Sequence, residues 1–302
     1  MSRIKKYVEF CVILCTNGNA LEVITQKPSI QHLRPDMDDP ASPANSPDPA
    51  QVRAAAIAMA KAATPLALSY FRKGLCIETK ADDSPVTQAD RAVEEKLRSL
   101  IAAGFPGDGI LGEEFGETGG TGGGLWIIDP IDGTRSFISG HPLFGMLIGR
   151  MIDGQMQASV VNLPALSEIY SAARGEGAFF GNTRIATSGG KRLGEAMLYI
   201  NEGEKIWRGW PEAYARLMTA GRERRFSYDC GPYALLASGH IDAVVDCDLE
   251  PYDYLPVSLL VEEAGGRITD WEGNPLGMGS DVRVAAAATP ELHTDLIALL
   301  RG

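Results

Sequence analysis

The run Trp126-Ile-Ile-Asp-Pro-Ile-Asp-Gly-Thr134 constrains this chain more than any other. Leu125 to Ile128 is short and apolar, bounded by glycines on one side and Asp-Pro on the other, as a buried strand is. It delivers Asp129, and Pro130, lacking an N–H, is expected to stop the ladder there. Asp132 follows three residues after Asp129, then a glycine and a hydroxyl. Two carboxylates at a strand end can converge on one hard cation, and oxygen ligands of this kind select Mg²⁺. Gly133 would let backbone approach a ligand closely, and the N–H groups of a following helix would hold an anion. An Asx-turn with an Asp N-cap explains the same residues without any ligand, and the run alone leaves both readings open.

The charge balance suits a cation as partner: 28 Lys and Arg against 39 Asp and Glu leave a formal −11. It argues against non-specific nucleic-acid binding, which needs clustered Lys and Arg. Cys11, Cys15, Cys76, Cys230 and Cys247 are odd in number and scattered, which is no disulfide framework and fits a reducing, cytoplasmic setting. The four histidines stand apart from one another, with no zinc-site spacing. No apolar run is long enough to predict a membrane span.

Residues 1–48 read as a disordered N-terminal extension, because Gln26 to Ala50 is rich in Pro, Asp, Ser and Asn. A later natural start, for instance at Met37, fits the same composition. Asp48-Pro49 then pairs an N-cap with proline at the first helical position, opening an Ala-rich helix to Arg72, bent or broken at Pro65. A second helix is expected over 87–103, with Ala89, Val93, Leu97 and Ile101 on its apolar face. Gly119 to Gly124 precedes a strand instead of opening a helix, so it is no dinucleotide fingerprint and reads as a flexible surface loop. Asp153-Gly154 signals a hairpin. Further strands are expected at 168–172, 198–201 and 241–246, and helices near 207–220, 233–238, 253–264 and 291–300. Such mixing predicts an α+β fold or a layered α/β sandwich.

Two more segments concentrate acids. Gly112-Glu113-Glu114 follows the apolar pair Ile110-Leu111, and residues 242–253 hold Asp242, Asp246, Asp248, Glu250 and Asp253 without a Lys or Arg. Acids crowded together repel unless cations neutralise some of them. Asp253 also reads as a plain N-cap of the apolar helix that follows.

Gly112-Glu113-Glu114, Asp129-Pro-Ile-Asp-Gly-Thr134 and Glu250-Pro-Tyr-Asp253 through Glu263-Ala-Gly-Gly266 occur in the order and spacing of the inositol monophosphatase-like superfamily. The chain resembles that superfamily from about residue 50 to its end. The resemblance implies a layered αβαβα sandwich over 49–302, with a metal-bearing half to about 185 and a substrate-facing half beyond it. It implies hydrolysis of a phosphate monoester by water with two or three Mg²⁺ ions, and a homodimer. Glu113, Asp129, Asp132 and Asp253 are the implied metal ligands, with the Ile131 carbonyl assisting. Thr134, paired with Asp90, and Glu113 would orient the water, while Gly133 and Thr134 amides would bind phosphate. Thr87-x-x-Asp90 reads equally as a capping box. Lys80 stands where the family often has a lysine near its metals.

Asp132 through Gly145, Asp229-Cys230 and Pro251-Tyr-Asp-Tyr254 are most similar to the histidinol-phosphate phosphatase branch. Gly231-Pro232 departs from it, since an aromatic often follows Asp-Cys there. That branch implies an acidic wall for the ammonium and imidazole of histidinol phosphate, with Asp246 and Asp229 as candidates and Glu250 behind them. Arg184 and Arg174 are candidates for contact with substrate or with a neighbouring subunit. An inositol or sugar-phosphate phosphatase, or a non-catalytic Mg²⁺-binding regulator of the same fold, are the alternatives.

Overall fold

Buried strands on both sides of a central helical layer organise the molecule. The computed structural model describes residues 47–73, 77–79 and 85–302. Most of the expected extension and Lys80 therefore lie outside the described residues. The first half begins with α1 (Pro49–Tyr70), β1 (Ile77–Thr79), β2 (Pro85–Thr87) and α2 (Gln88–Gly104). It continues through β3 (Gly109–Gly112), β4 (Gly116–Thr118), β5 (Gly124–Asp132), α3 (Thr134–Ser139), β6 (Gly145–Ile152) and β7 (Gln155–Leu163). β8 (Glu168–Ala173), β9 (Gly177–Phe180) and β10 (Thr183–Ile185) complete it. The second half comprises β11 (Met197–Asn201), α4 (Gly203–Gly209), α5 (Pro211–Leu217), β12 (Glu223–Ser227), α6 (Gly231–Ala237) and β13 (Ala243–Asp246). α7 (Pro251–Glu263), β14 (Arg267–Asp270), β15 (Val284–Ala287) and α8 (Pro290–Arg301) close the chain.

An eight-stranded sheet of order β10-β9-β8-β7-β6-β5-β3-β4 and a five-stranded sheet of order β12-β11-β13-β15-β14 are both mixed. Helices α1 and α2 cover the outer face of the larger sheet, where Val52, Ala56, Ala60, Val93 and Leu97 meet Trp126, Ile128, Ile148 and Val160. α6 and α7 lie between the sheets, packing Tyr233, Leu255, Leu259 and Leu260 among Ile127, Leu147 and Val161 on one side and Val244 and Ala286 on the other. α4, α5 and α8 cover the far face of the five-stranded sheet, over Leu198, Ile200, Val245 and Ala287. Alternate residues of one strand thus serve two cores, as the period of a β-strand requires. The expected αβαβα layering is the observed one.

Several local expectations change. α1 runs unbroken through Pro65, which lies, like Lys61 one turn earlier, at an exposed position of the helix. The helix expected over 207–220 is two, since Trp210 turns out of helical backbone (φ −138) and Pro211 opens a new helix. β5 does not stop at Pro130: it continues to Asp132 through a shift of register between Asp129 and Asp132. The glycine-rich loop is pinned, with Thr121 and Gly122 N–H groups both donating to the Gly107 carbonyl at 2.8 and 2.6 Å. A Cβ on Gly120 would lie 2.2 Å from the Gly109 nitrogen, so close backbone approach explains that glycine. Asp153 and Gly154 both take positive φ (48 and 74), the type I′ hairpin their sequence signals.

Candidate active site

The register shift in β5 is what builds the site. In a regular strand, residues three apart point to opposite faces. The shift between Asp129 and Asp132 lets both carboxylates turn to the same side. There they meet Asp253, and ligand oxygens of the three lie within 4.8 Å of one another. Asp253 sits in the first turn of α7, three residues after the N-cap Glu250, and is not itself the cap. Its Oδ2 accepts the Glu250 N–H at 2.8 Å. The Asp129 Oδ1 accepts the Ile131 N–H at 2.9 Å, and the Asp132 Oδ2 accepts the Cys230 N–H at 2.5 Å. The Asx turn and the convergent pair are therefore one arrangement.

These carboxylates crowd one another. Burial pushes Asp129 well above the usual carboxylate range, and the charges of Glu113, Asp132 and Asp253 push it further. Asp132 is raised by burial and then by Asp229 and Asp253. Burial first, with Glu113 adding to it, raises Asp253 to about 8. Glu113 belongs here too, hydrogen-bonding the Asp129 carboxyl from the end of β3. Asp129, Asp132 and Asp253, buried or half-buried, raised in pKa and with no basic partner among the described ion pairs, are the donor chemistry of a hard divalent cation. The residues fit the implied group.

Around this trio lies a cavity of about 660 Å³, lined by Glu113, Asp129, Ile131, Asp132, Gly133, Thr134, Asp229, Asp246 and Asp253 among others. Asp90 stands just behind it, fully buried on α2. Its Oδ1 accepts the Thr134 hydroxyl at 3.1 Å, and its Oδ2 accepts the Thr87 N–H at 2.9 Å. The capping box and the Thr134 pair coexist on different oxygens. Gly133 has φ +80, and a Cβ there would meet the Asp229 carboxyl carbon at 2.3 Å, so any other residue would be strained and would push Asp229 aside. Arg184 is not brought to the cavity: it lies on the edge strand β10, against Gly177. Arg174 likewise binds away from it, its Nε donating to the Met156 carbonyl at 2.6 Å.

A second part of the lining comes from the carboxyl ends of β11, β12 and β13, where the strand order reverses and open α/β sheets place ligands. Asp246 accepts from Asn201 Nδ2 at 2.8 Å, Tyr233 OH at 3.0 Å and the Cys247 N–H at 2.9 Å. Burial still raises it to about 7. Asp229 accepts the Ser136 hydroxyl at 2.6 Å and is raised by burial to about 6. Glu202 and Lys205 also line the cavity, with Lys205 between Glu202 (2.9 Å) and Asp248 (2.8 Å). Sequence reading passed over Glu202, Lys205, Asn201 and Tyr233. Their common signal is position at a strand's carboxyl end, just past it, or on the helix that follows.

Fold and donor set together define the class: a metal-dependent phosphoric monoester hydrolase. Residues 48–302 match the model of the inositol monophosphatase family, and the chain belongs to that family. It is 42% identical over 222 residues to a histidinol-phosphatase of Chlorobaculum parvum, covering 72% of this chain and 85% of that one. It is 33% identical over 298 residues to the bifunctional phosphatase IMPL2 of Arabidopsis thaliana, covering 94% of this chain and 81% of that one. The solved structure of an inositol monophosphatase from Zymomonas mobilis superposes with a TM-score of 0.73 at 32% identity, covering 84% and 98%. Among the described residues, no helix is long and apolar enough to cross a membrane.

Proposed function

We propose that the chain hydrolyses histidinol phosphate to histidinol and phosphate with Mg²⁺, working as a cytoplasmic homodimer. The observation that carries the substrate is that Asp246 and Asp229 line the same cavity as the carboxylate trio and add further acids to it. A phosphate ester with a cationic body matches that set, with its phosphate toward the cation and its ammonium and imidazole toward Asp246 and Asp229. The 42% identity to a histidinol-phosphatase supports the same choice.

Glu113, Asp129, Asp132 and Asp253 would hold two or three Mg²⁺ ions, with the Ile131 carbonyl. When bound, the ions supply neutralisation of the phosphate and activation of water for in-line attack. The protein's own residues do the rest. Asp90 receives the Thr134 hydroxyl, fixing which way its oxygen lone pairs face the cavity, so that Thr134 and Glu113 orient the attacking water. The Gly133 and Thr134 amides hold the phosphate oxygens, with Gly133 leaving room for close approach. Asp246, fixed by three donors, presents a negative surface of set geometry to the substrate's cation.

Phosphate release from histidinol phosphate, inositol monophosphate and a nucleoside monophosphate, each with Mg²⁺, tests the reading. Histidinol phosphate is expected to have the highest kcat/KM. Preference for inositol monophosphate would replace it with the second reading, favoured by the 32% identity to an inositol monophosphatase structure.

A further inference from the structure

Helix α2 carries a second buried acid one turn beyond Asp90. Glu94 is fully buried, at the i+4 position from Asp90, on the face that also buries Val93 and Leu97. A carboxylate there needs partners, and each of them is a donor. The Glu114 N–H donates to its Oε2 at 2.7 Å. The Phe115 N–H donates to its Oε1 at 3.2 Å, and the Arg98 Nε to the same oxygen at 2.8 Å. Arg98 in turn binds the Gly116 carbonyl at 2.5 Å and the Thr118 hydroxyl at 2.9 Å.

Those contacts fall on the residues immediately after Glu113. The residue before it is shaped for the same carboxylate: a Cβ on Gly112 would lie 2.2 Å from Glu94 Oε1. The Glu113 N–H itself donates to the Ile128 carbonyl at 3.3 Å, one residue before Asp129. The turn carrying Glu113 is therefore tied on one side to β5 and on the other to α2. Asp90, a turn earlier on the same helix, grips Thr134 at the far end of the Asp129–Thr134 run.

We propose that Glu94 is a positioning residue for the metal site. Its carboxylate fixes the Gly112–Phe115 turn, so α2 acts as a ruler that sets Glu113 against Asp129 through Glu94, and Thr134 through Asp90. The assignment rests on the Mg²⁺ reading of the cavity. Partners that orient metal ligands typically carry a 10- to 100-fold share of metal affinity, so roughly that loss is expected on breaking this one. Glu94→Gln is the sharpest variant, because all three partners donate and an amide NH₂ must face one of them.

Mg²⁺ titration of the purified chain by calorimetry, with melting temperature measured alongside, tests it. Wild type is expected to bind, and Glu94→Gln to bind roughly 10- to 100-fold more weakly. Gly112→Ala, whose Cβ displaces the Glu94 carboxylate, is expected to shift Kd the same way and decides the matter if Glu94→Gln does not fold. Leu296→Ala, a core truncation in α8, is expected to lower the melting temperature and leave Kd unchanged. Wild-type Kd in both site variants, or an equal loss in Leu296→Ala, would overturn the positioning role while leaving the Mg²⁺ reading intact. No binding by wild type would instead overturn the Mg²⁺ reading, and the positioning role with it.

Discussion

Buried and half-buried acids occur in two settings in this molecule, and they are partnered in opposite ways. Away from the cavity, Asp108 pairs with Arg150 at 2.7 Å, Asp242 with Lys191 at 2.9 Å and Glu94 with Arg98 at 2.8 Å. Around the cavity, Asp129, Asp132, Asp246 and Asp253 have no basic partner among the described ion pairs, and burial drives all four above the usual carboxylate range. A buried charge without a counter-charge costs several kcal/mol, so a fold keeps one only where something else supplies the opposite sign. The first setting is finished by the chain itself. Under the proposed function, the second is completed by a cation from outside, inorganic at the trio and organic at Asp246.

Substitutions should therefore act oppositely in the two places. The largest expected effect is on activity: Asp132→Asn should lose at least about 10³-fold in kcat/KM, about 4 kcal/mol of transition-state stabilisation. Its metal-free melting temperature should not fall, because a repelling charge has been removed. Retention of near wild-type activity at saturating Mg²⁺ would break the comparison. Next in size is Asp108→Asn, which removes the charge paired with buried Arg150 and puts an NH₂ where one of its two acceptor oxygens stood. It should cost about 3–5 kcal/mol in urea unfolding. The kcat per folded molecule should be unchanged, since Asp108 is outside the cavity lining.

Mg²⁺ at about 100 times its Kd should then stabilise wild type by about 2.7 kcal/mol in thermal unfolding, and Asp132→Asn much less. The sign with pH follows from Asp253. Raised to about 8, it holds a proton at neutral pH that the cation must displace, so Mg²⁺ stabilisation should grow between pH 6 and pH 8. Stabilisation that fell over that interval would count against the trio as ligands. The smallest effect is expected at Asp246. Asp246→Asn should raise KM for histidinol phosphate about tenfold, about 1.4 kcal/mol, and leave KM for a neutral sugar phosphate near its wild-type value. Equal shifts for both esters would remove Asp246 from substrate recognition.

Much of this was legible in the sequence because it is local. Asp129, Asp132 and Thr134 fall within six residues, and Thr87-x-x-Asp90 opens its helix as a capping box should. The alternation of strands and helices predicted only an α+β fold or a layered α/β sandwich, and the αβαβα layering was implied by the family resemblance. What stayed hidden depends on contacts between distant segments. Glu94 lies among apolar positions of α2, and only the turn after Glu113 explains it. Nothing in the spacing of Asp129 and Asp132 announces a register shift, which arises from pairing with Gly145 and Leu147. Arg184 reads as a substrate contact only until its strand is placed at the sheet edge. The break at Trp210 was the one miss the sequence could have corrected, since Pro211 disfavours helical backbone in the residue before it.

The most direct test of the account is phosphate release from histidinol phosphate by metal-stripped protein as Mg²⁺ is added back. Activity should be negligible at first, rise saturably with Mg²⁺ in wild type, and fail to recover in Asp132→Asn. Turnover that is already complete in the stripped protein, or Mg²⁺ restoration of Asp132→Asn to wild-type rates, would contradict it.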